Sequence, residues 1–149
     1  MYTALSKIVI ASDGSEHSER AAKAAVDLAK RFGAELILVT VLEVDRAANS
    51  LFSPLQVSDR LDEVIHAAHD AQDRIEEEVE ELAEAEGVPF RARRERGHPA
   101  DRIVAVAKEE HADLIVVGAR GLGAFAALLL GSVSSGVLHH APCSVFVVK

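Results

Sequence analysis

Two rhythms of apolar and polar positions divide the chain. Ile8-Val-Ile-Ala11, Leu36-Ile-Leu-Val-Thr-Val-Leu42, Leu114-Ile-Val-Val117 and Ser144-Val-Phe-Val-Val148 are nearly continuous apolar runs, the pattern of strands buried on both faces. Val88 to Glu95 alternates, as a half-exposed strand does. Between these runs the period changes to that of a helix. Ala22, Ala25, Val26, Ala29 and Phe32 share one face of a helix capped by Ser15 and ended by Gly33. Leu61, Val64, Ile65, Ala68, Ala71, Ile75, Val79 and Leu82 stripe a long helix over 59–86 whose other side is acidic. Gly97-His-Pro-Ala100 opens a short helix with Ile103, Val104 and Ala107 inward, and another runs from Ser132 to His140, ahead of Pro142. Glu43 to Ser58 has no period and reads as a mobile loop.

Strands separated by helices pair in parallel through right-handed crossovers, so the pattern predicts an α/β fold. The expectation is one domain over residues 1–149: a doubly wound open sheet of five parallel strands with four helices on its two faces. Strand order does not follow from the pattern. In such sheets ligands sit beyond the carboxyl ends of the strands, where the winding reverses. Two loops leave buried strands with polar chemistry, Ser12-Asp13-Gly14-Ser15 and Gly118 to Ser134. If the first and fourth strands are neighbours, both loops face one crevice.

The second loop changes the picture of charge. The chain has 24 acidic and 16 basic residues, a formal charge of -8, yet no Asp or Glu follows Asp113. An acidic chain argues against general binding to nucleic acid or anionic membrane. The apolar run Ala124 to Leu130 is far short of a membrane span. One cysteine, Cys143, makes no internal disulfide, and no leader pattern opens the chain, so a cytoplasmic location is expected.

Within the acid-free segment, Gly118 and Gly121 permit positive φ and a close ligand, and Arg120 is its one fixed cation. Gly131-Ser132 precedes a helix whose first amides point out and carry partial positive charge. A phosphate there would meet those amides and the hydroxyls of Ser132 and Ser134. The alternative is a glycine loop that serves only to turn the chain. The segment contains no G-x-x-x-x-G-K-[S/T]. Gly121-Leu-Gly-Ala-Phe-Ala126 fits G-x-G-x-x-A but has no acidic residue downstream for a ribose.

The spacing Gly118-x2-Gly121-x9-Gly131-Ser132, with Asp13-Gly14-Ser15 near the start and Ala141-Pro142-Cys143 near the end, resembles the universal stress protein family over nearly the whole chain. The resemblance implies strand order 3-2-1-4-5, a cytoplasmic homodimer and, because the G-x2-G-x9-G-[S/T] pattern is present, the ATP-binding branch. Carried over by motif, Gly118, Arg120, Gly121, Gly131, Ser132, Val133 and Ser134 would surround phosphates and ribose. Ala11, Ser12 and Asp13 would line the nucleoside end and Val41 would lie near adenine, with Mg²⁺ arriving on the nucleotide. Asp13 would act as ribose acceptor or metal-water partner; the bland reading is an ordinary turn residue.

Other features have plainer readings. His66 and His69 lie one helical turn apart but lack an evident third metal ligand. Arg91, Arg93, Arg94 and Arg96 are taken as protection of an edge strand rather than an anion site. His139-His140 complements a helix dipole, and Cys143 is a buried, inert thiol. With one aspartate, one arginine and no histidine or glutamate near the motif, ATP hydrolysis is expected to be slow at most. The functional expectation is a nucleotide-dependent regulatory protein, a homodimer through the edge strand Val145 to Val148. The rivals are a dimeric adaptor working through an unknown protein partner without need of nucleotide, and, last, a metabolic ATPase.

Overall fold

The computed structural model describes residues 4–43, 57–121 and 130–149. In chain order these form β1 (Lys7–Ala11), α1 (Glu16–Phe32), β2 (Glu35–Leu42), α2 (Val57–Ala85), β3 (Phe90–Arg96), α3 (Pro99–Glu109), β4 (Leu114–Gly118), α4 (Ser132–His140) and β5 (Ser144–Val148). The strands make one parallel sheet of order β3-β2-β1-β4-β5. Its neighbours are in register as Ile8↔Leu36, Ile8↔Leu114, Leu36↔Phe90 and Leu114↔Ser144. The winding reverses between β1 and β4, so the loops after these strands do share a crevice.

Side-chain alternation along the strands explains why the central runs are apolar throughout. Ile8, Ile10, Leu36, Leu38, Leu114 and Val116 pack against Ala21, Ala22, Ala25, Val26 and Ala29 of α1 and Val79 and Ala83 of α2. The intervening Val9, Ile37, Val39, Ile115 and Val117 pack on the other face against Ala100, Ile103, Val106 and Ala107 of α3 and Val137 of α4. Small residues on α1 bring that helix close to the sheet. Its ends follow the predicted signals: Ser15 accepts from the Ser18 amide, and Gly33 closes it at φ 66°.

Several boundaries and faces differ from expectation. Phe32 is 52% exposed; at the helical angle it lies roughly 70° from the centre of the alanine stripe, and the helix ends there. The long helix begins at Val57, inside the stretch read as loop; residues 44–56 of that stretch lie outside the described residues. β3 starts at Phe90 rather than Val88, which is buried ahead of the strand.

At the β3 edge the arginines are held by carboxylates. Arg91 bonds Glu35 and Glu110, Arg93 bonds Glu109 and Glu110, and Arg94 bonds Asp73 and Glu76. The hydrogen bond from Arg91 holds the Glu110 carboxyl below its usual range against the opposing effect of burial. Such exposed pairs individually stabilise little, but they engage three of the four arginines and leave a charged rather than apolar edge.

A different contact ties the two central strands. Asp113 Oδ2 accepts from the Ser6 and Lys7 amides at 2.9 and 3.0 Å and from the Ser6 hydroxyl at 2.8 Å. These bonds, the Ser6 amide foremost, hold the Asp113 carboxyl below its ordinary value. Its contribution to stability is therefore complete above the ordinary aspartate range and is lost as pH falls through the lowered value. Asp113→Ala should cost about 1 kcal/mol at neutral pH, after allowance for its partial exposure. The difference between variant and parent should shrink in acid, which urea titrations at pH 7 and below pH 4 will measure.

Candidate functional site

At the carboxyl ends of β1, β2 and β4 lies a cleft of about 670 Å³. Its walls include all eleven residues singled out from sequence: Ala11, Ser12, Asp13, Val41, Gly118, Arg120, Gly121, Gly131, Ser132, Val133 and Ser134. The fold brings together segments more than a hundred residues apart because β1 and β4 are hydrogen-bonded neighbours.

One end of the cleft is polar. The turn after β1 is knitted by its own side chains: Ser12 Oγ donates to Ser18 Oγ at 3.1 Å, and the Gly14 amide donates to Ser12 Oγ at 3.3 Å. Asp13 Oδ1 accepts from the Ser15 amide at 2.9 Å and the Ser18 hydroxyl at 3.1 Å. With Oδ1 so fixed, Oδ2 lies against Gly121, where an added Cβ would come within 2.3 Å of it. Asp13 and the glycine loop therefore meet directly across the crevice.

The two loop glycines are needed for space rather than for positive φ. Among the described glycines only Gly14, Gly33, Gly87 and Gly97 have positive φ. A Cβ on Gly118 would stand 2.8 Å from the His17 carbonyl carbon and 2.9 Å from the Ser18 amide nitrogen. Gly118 thus lets β4 lie against the first turn of α1, while Gly121 makes room for a carboxylate.

Across the cleft, α4 opens at Gly131 with no side-chain cap and no acidic residue in its first turn. Its first amides have no intrahelical partner and present partial positive charge to the cleft. The Gly131 amide itself donates to Ala119 O at 2.6 Å, which locks the loop end onto β4. Ser132 is exposed at this terminus. Ser134 corrects an expectation: it is 2% exposed and its hydroxyl donates to Ala119 O and Gly131 O at 2.8 and 3.0 Å. The one proton of that hydroxyl is shared between the two carbonyls, so Ser134 braces the loop.

Sequence reasoning missed some residues here. His17 stands beside Arg120, with Nε2 3.5 Å from Nη2, and Glu43 lines the cleft. The view that no histidine or glutamate lies near the motif is thereby overturned; α1 and β2 bring them in from distant sequence. Thr40 and Gln72 also line the cleft, as do the apolar Val39, Ala68, Ala71 and Ile75. Their signal was present: Thr40 interrupts an apolar strand, and Gln72 falls at i+4 from Ala68, on the apolar stripe.

Away from the cleft, Cys143 is half-buried rather than buried as expected; that burial, with a smaller effect of Asp113, pushes its thiol up, which suits an unreactive sulfur. His140 Nδ1 lies 3.0 Å from Gly136 O at the end of α4. No group of three or more His, Cys, Asp or Glu placed to hold a metal is present among the described residues. No helix among them is long and apolar enough to cross a membrane.

Residues 4–149 match the model of the universal stress protein family. The chain belongs to that family. A universal stress protein of Thermus aquaticus is 39% identical over 143 residues, 95% of this chain and 97% of its own length. Among solved structures, the hypothetical protein MJ0577 superposes with TM-score 0.83 at 26% identity, covering 99% of this chain and 97% of its own. A universal stress protein solved in complex with cAMP is 30% identical, with TM-score 0.68 and coverage of 99% and 98%. This universal stress protein shares with them the five-stranded parallel sheet, and its cleft lies at the sheet's winding reversal, where nucleotide sites of open α/β folds occur.

Proposed function

We propose that this universal stress protein binds ATP in the cleft and works as a nucleotide-dependent regulatory protein. The observation that carries the reading is the uncapped, acid-free start of α4, which opens into a cleft of nucleotide size beside Gly121 and Asp13. The relative complexed with cAMP supports an adenine nucleotide as the ligand class.

In this reading the phosphates lie over the amides of Ser132 and Val133, with Ser134 bracing the turn and Arg120 supplying positive charge. The Gly118–Gly121 and Gly131 backbone forms the wall beside them. Ala11, Ser12 and Asp13 border the ribose, and Asp13 Oδ2 is the acceptor aimed across the crevice. Val41 borders the base. Mg²⁺ arrives with the nucleotide, whose phosphate oxygens are its main ligands, and neutralises phosphate charge. No lysine lines the cleft among the described residues. With Arg120 the one guanidinium among the described lining residues, hydrolysis should stay below roughly one turnover per second. Equilibrium dialysis with labelled ATP and Mg²⁺ tests the reading: saturable binding approaching one nucleotide per chain is expected, and its absence from pure, folded protein would overturn it.

A homodimer through β5 completes the proposal. β5 ends the sheet, and Phe146 on it is 46% exposed; pairing two such edges removes an open strand. The same edge is what favours the second reading, an adaptor whose partner adds to the sheet with nucleotide playing no part. Sedimentation at micromolar concentration should give a dimer that Phe146→Asp converts to monomer. A parent protein that is monomeric counts against the dimer whether or not ATP binds.

A further inference from the structure

A second hollow, of about 420 Å³, lies between α1 and α2, on the sheet face that these two helices share. Each helix carries the chain back from the carboxyl end of a strand, so the two run in the same direction. They are tied near each end. Ile75 Cδ1 would stand 3.5 Å from a Cβ on Gly14, ahead of α1, and Lys30 bonds Glu86 just past α2. Between the ties the floor is apolar, made of Ala22 on α1 and Ile75, Val79, Leu82 and Ala85 on α2. The rise from Ile75 to Ala85 gives the groove a length of about 15 Å along the helix axis.

Ala22 and Val79 are buried, but Ile75 and Leu82 are only half-buried and Ala85 is exposed. The apolar face of α2 is thus wider than the sheet covers. Val79 and Ala83 pack into the core, while Ile75 and Leu82, two turns apart, lie on the flank toward α1. The rim is charged. Glu19 on α1 and Glu78 and Glu81 on α2 line it, with Lys23 the one basic residue among the described lining, which leaves a net charge of -2. All four are exposed. The nearby Glu76 and Glu86 are held by Arg94 and Lys30, whereas none of the three rim carboxylates is in an ion pair among the described residues.

We propose that this groove docks a basic amphipathic helix of a partner protein. Its apolar ridge fills the floor, and its lysines and arginines face Glu19, Glu78 and Glu81 at the rim. Length and shape favour a helix: about 15 Å accommodates roughly three turns, and two parallel helices present a groove into which a third packs by its side-chain ridge. A small polyamine would meet the carboxylates but leave the apolar floor uncovered. A second copy of this chain is a poor occupant, because two-fold docking sets the same acidic rim against itself. The arginines of β3, Arg91, Arg93 and Arg94, are already held by carboxylates. Nucleotide in the cleft is not required for this docking.

Fluorescence anisotropy tests this with a labelled peptide of leucine and lysine at helical spacing, about 18 residues long so that it is partly helical alone. Roughly 150 mM salt screens long-range attraction to an acidic chain. Saturable binding at one peptide per chain is expected. A peptide of the same composition with its leucines scattered round the helix should bind about tenfold more weakly, since no ridge then covers the floor. Glu19→Gln with Glu78→Gln and Glu81→Gln should weaken the amphipathic peptide about tenfold. Glu77→Gln with Glu80→Gln and Glu84→Gln makes an equal change of charge on the outer face of α2 and should alter binding less than about twofold. All six positions are exposed, so both variants keep the fold. No binding by the parent protein, equal binding of the scattered peptide, or equal weakening by the two variants would overturn the proposal. Sedimentation of the first variant addresses the remaining occupant: a changed oligomeric state would assign the groove to a second copy of this chain and overturn it too.

Discussion

Gly118→Ala should lower the thermal midpoint by roughly 6–12 °C. The added Cβ would meet the His17 carbonyl carbon, the His17 Cβ and the Ser18 amide nitrogen at 2.8–2.9 Å. Two of these three are main-chain atoms in the first turn of α1, which Ser15 caps and whose Ser18 hydroxyl is bonded into the β1 turn. Relief requires α1 to move away from β4, which opens the core face holding Ala21, Ala22 and Ala25. Overpacking against such a rigid neighbour costs about 3 kcal/mol, which for a chain of this size gives the stated shift. Gly33→Ala is the comparison. Gly33 has φ 66° and nothing within 4 Å of an added Cβ, so its cost is the left-handed backbone alone, about 1 kcal/mol. Scanning calorimetry of the two variants separates steric from conformational need. A midpoint for Gly118→Ala no lower than that for Gly33→Ala would show that α1 yields easily.

The contrast between these glycines bears on what the chain discloses. Glycine spacing marks the loop but does not say why each glycine is there, since the reason lies in what approaches from elsewhere. At Gly118 it is a helix turn about a hundred residues earlier, at Gly121 a carboxylate from the β1 turn. The strands and helices were legible because burial on both faces writes an unbroken apolar run and burial on one face writes a helical stripe. Boundaries were less so: Phe32 continues the α1 pattern past the point where the sheet covers it, and Val88 is buried before its strand begins. Strand order came from family resemblance, because local pattern carries no record of which strand lies beside which. For the same reason His17 escaped notice; its approach to Arg120 spans 103 residues. Ser134 was read as an anion ligand because a serine at a helix start usually faces out, whereas here it lies under the loop and bonds two carbonyls. Gln72 was the legible case passed over, a polar residue on an apolar stripe.

Gly121→Val should reduce ATP affinity on the order of a hundredfold while shifting the thermal midpoint by no more than about 2 °C. Gly121 is exposed in the loop after β4, and the atom its Cβ would strike is Asp13 Oδ2, at 2.3 Å. That oxygen is the far end of a side chain, so the fold survives by turning Asp13 away. The turn breaks the bonds that Oδ1 accepts from the Ser15 amide and the Ser18 hydroxyl. Those bonds are exposed or partly so, which keeps the stability loss small. The cleft loses more. Asp13 no longer points across the crevice, and the branched side chain fills the space beside the start of α4 where the phosphates are proposed to lie. A nucleotide must then give up both its ribose acceptor and its approach to the amides of Ser132 and Val133. Gly118→Ala and Gly121→Val therefore separate the two demands made on one loop, the first acting on the fold and the second on the ligand. Dialysis and calorimetry on the same preparation of Gly121→Val decide the point. Undiminished ATP binding at full stability would place the phosphates elsewhere than beside Gly121.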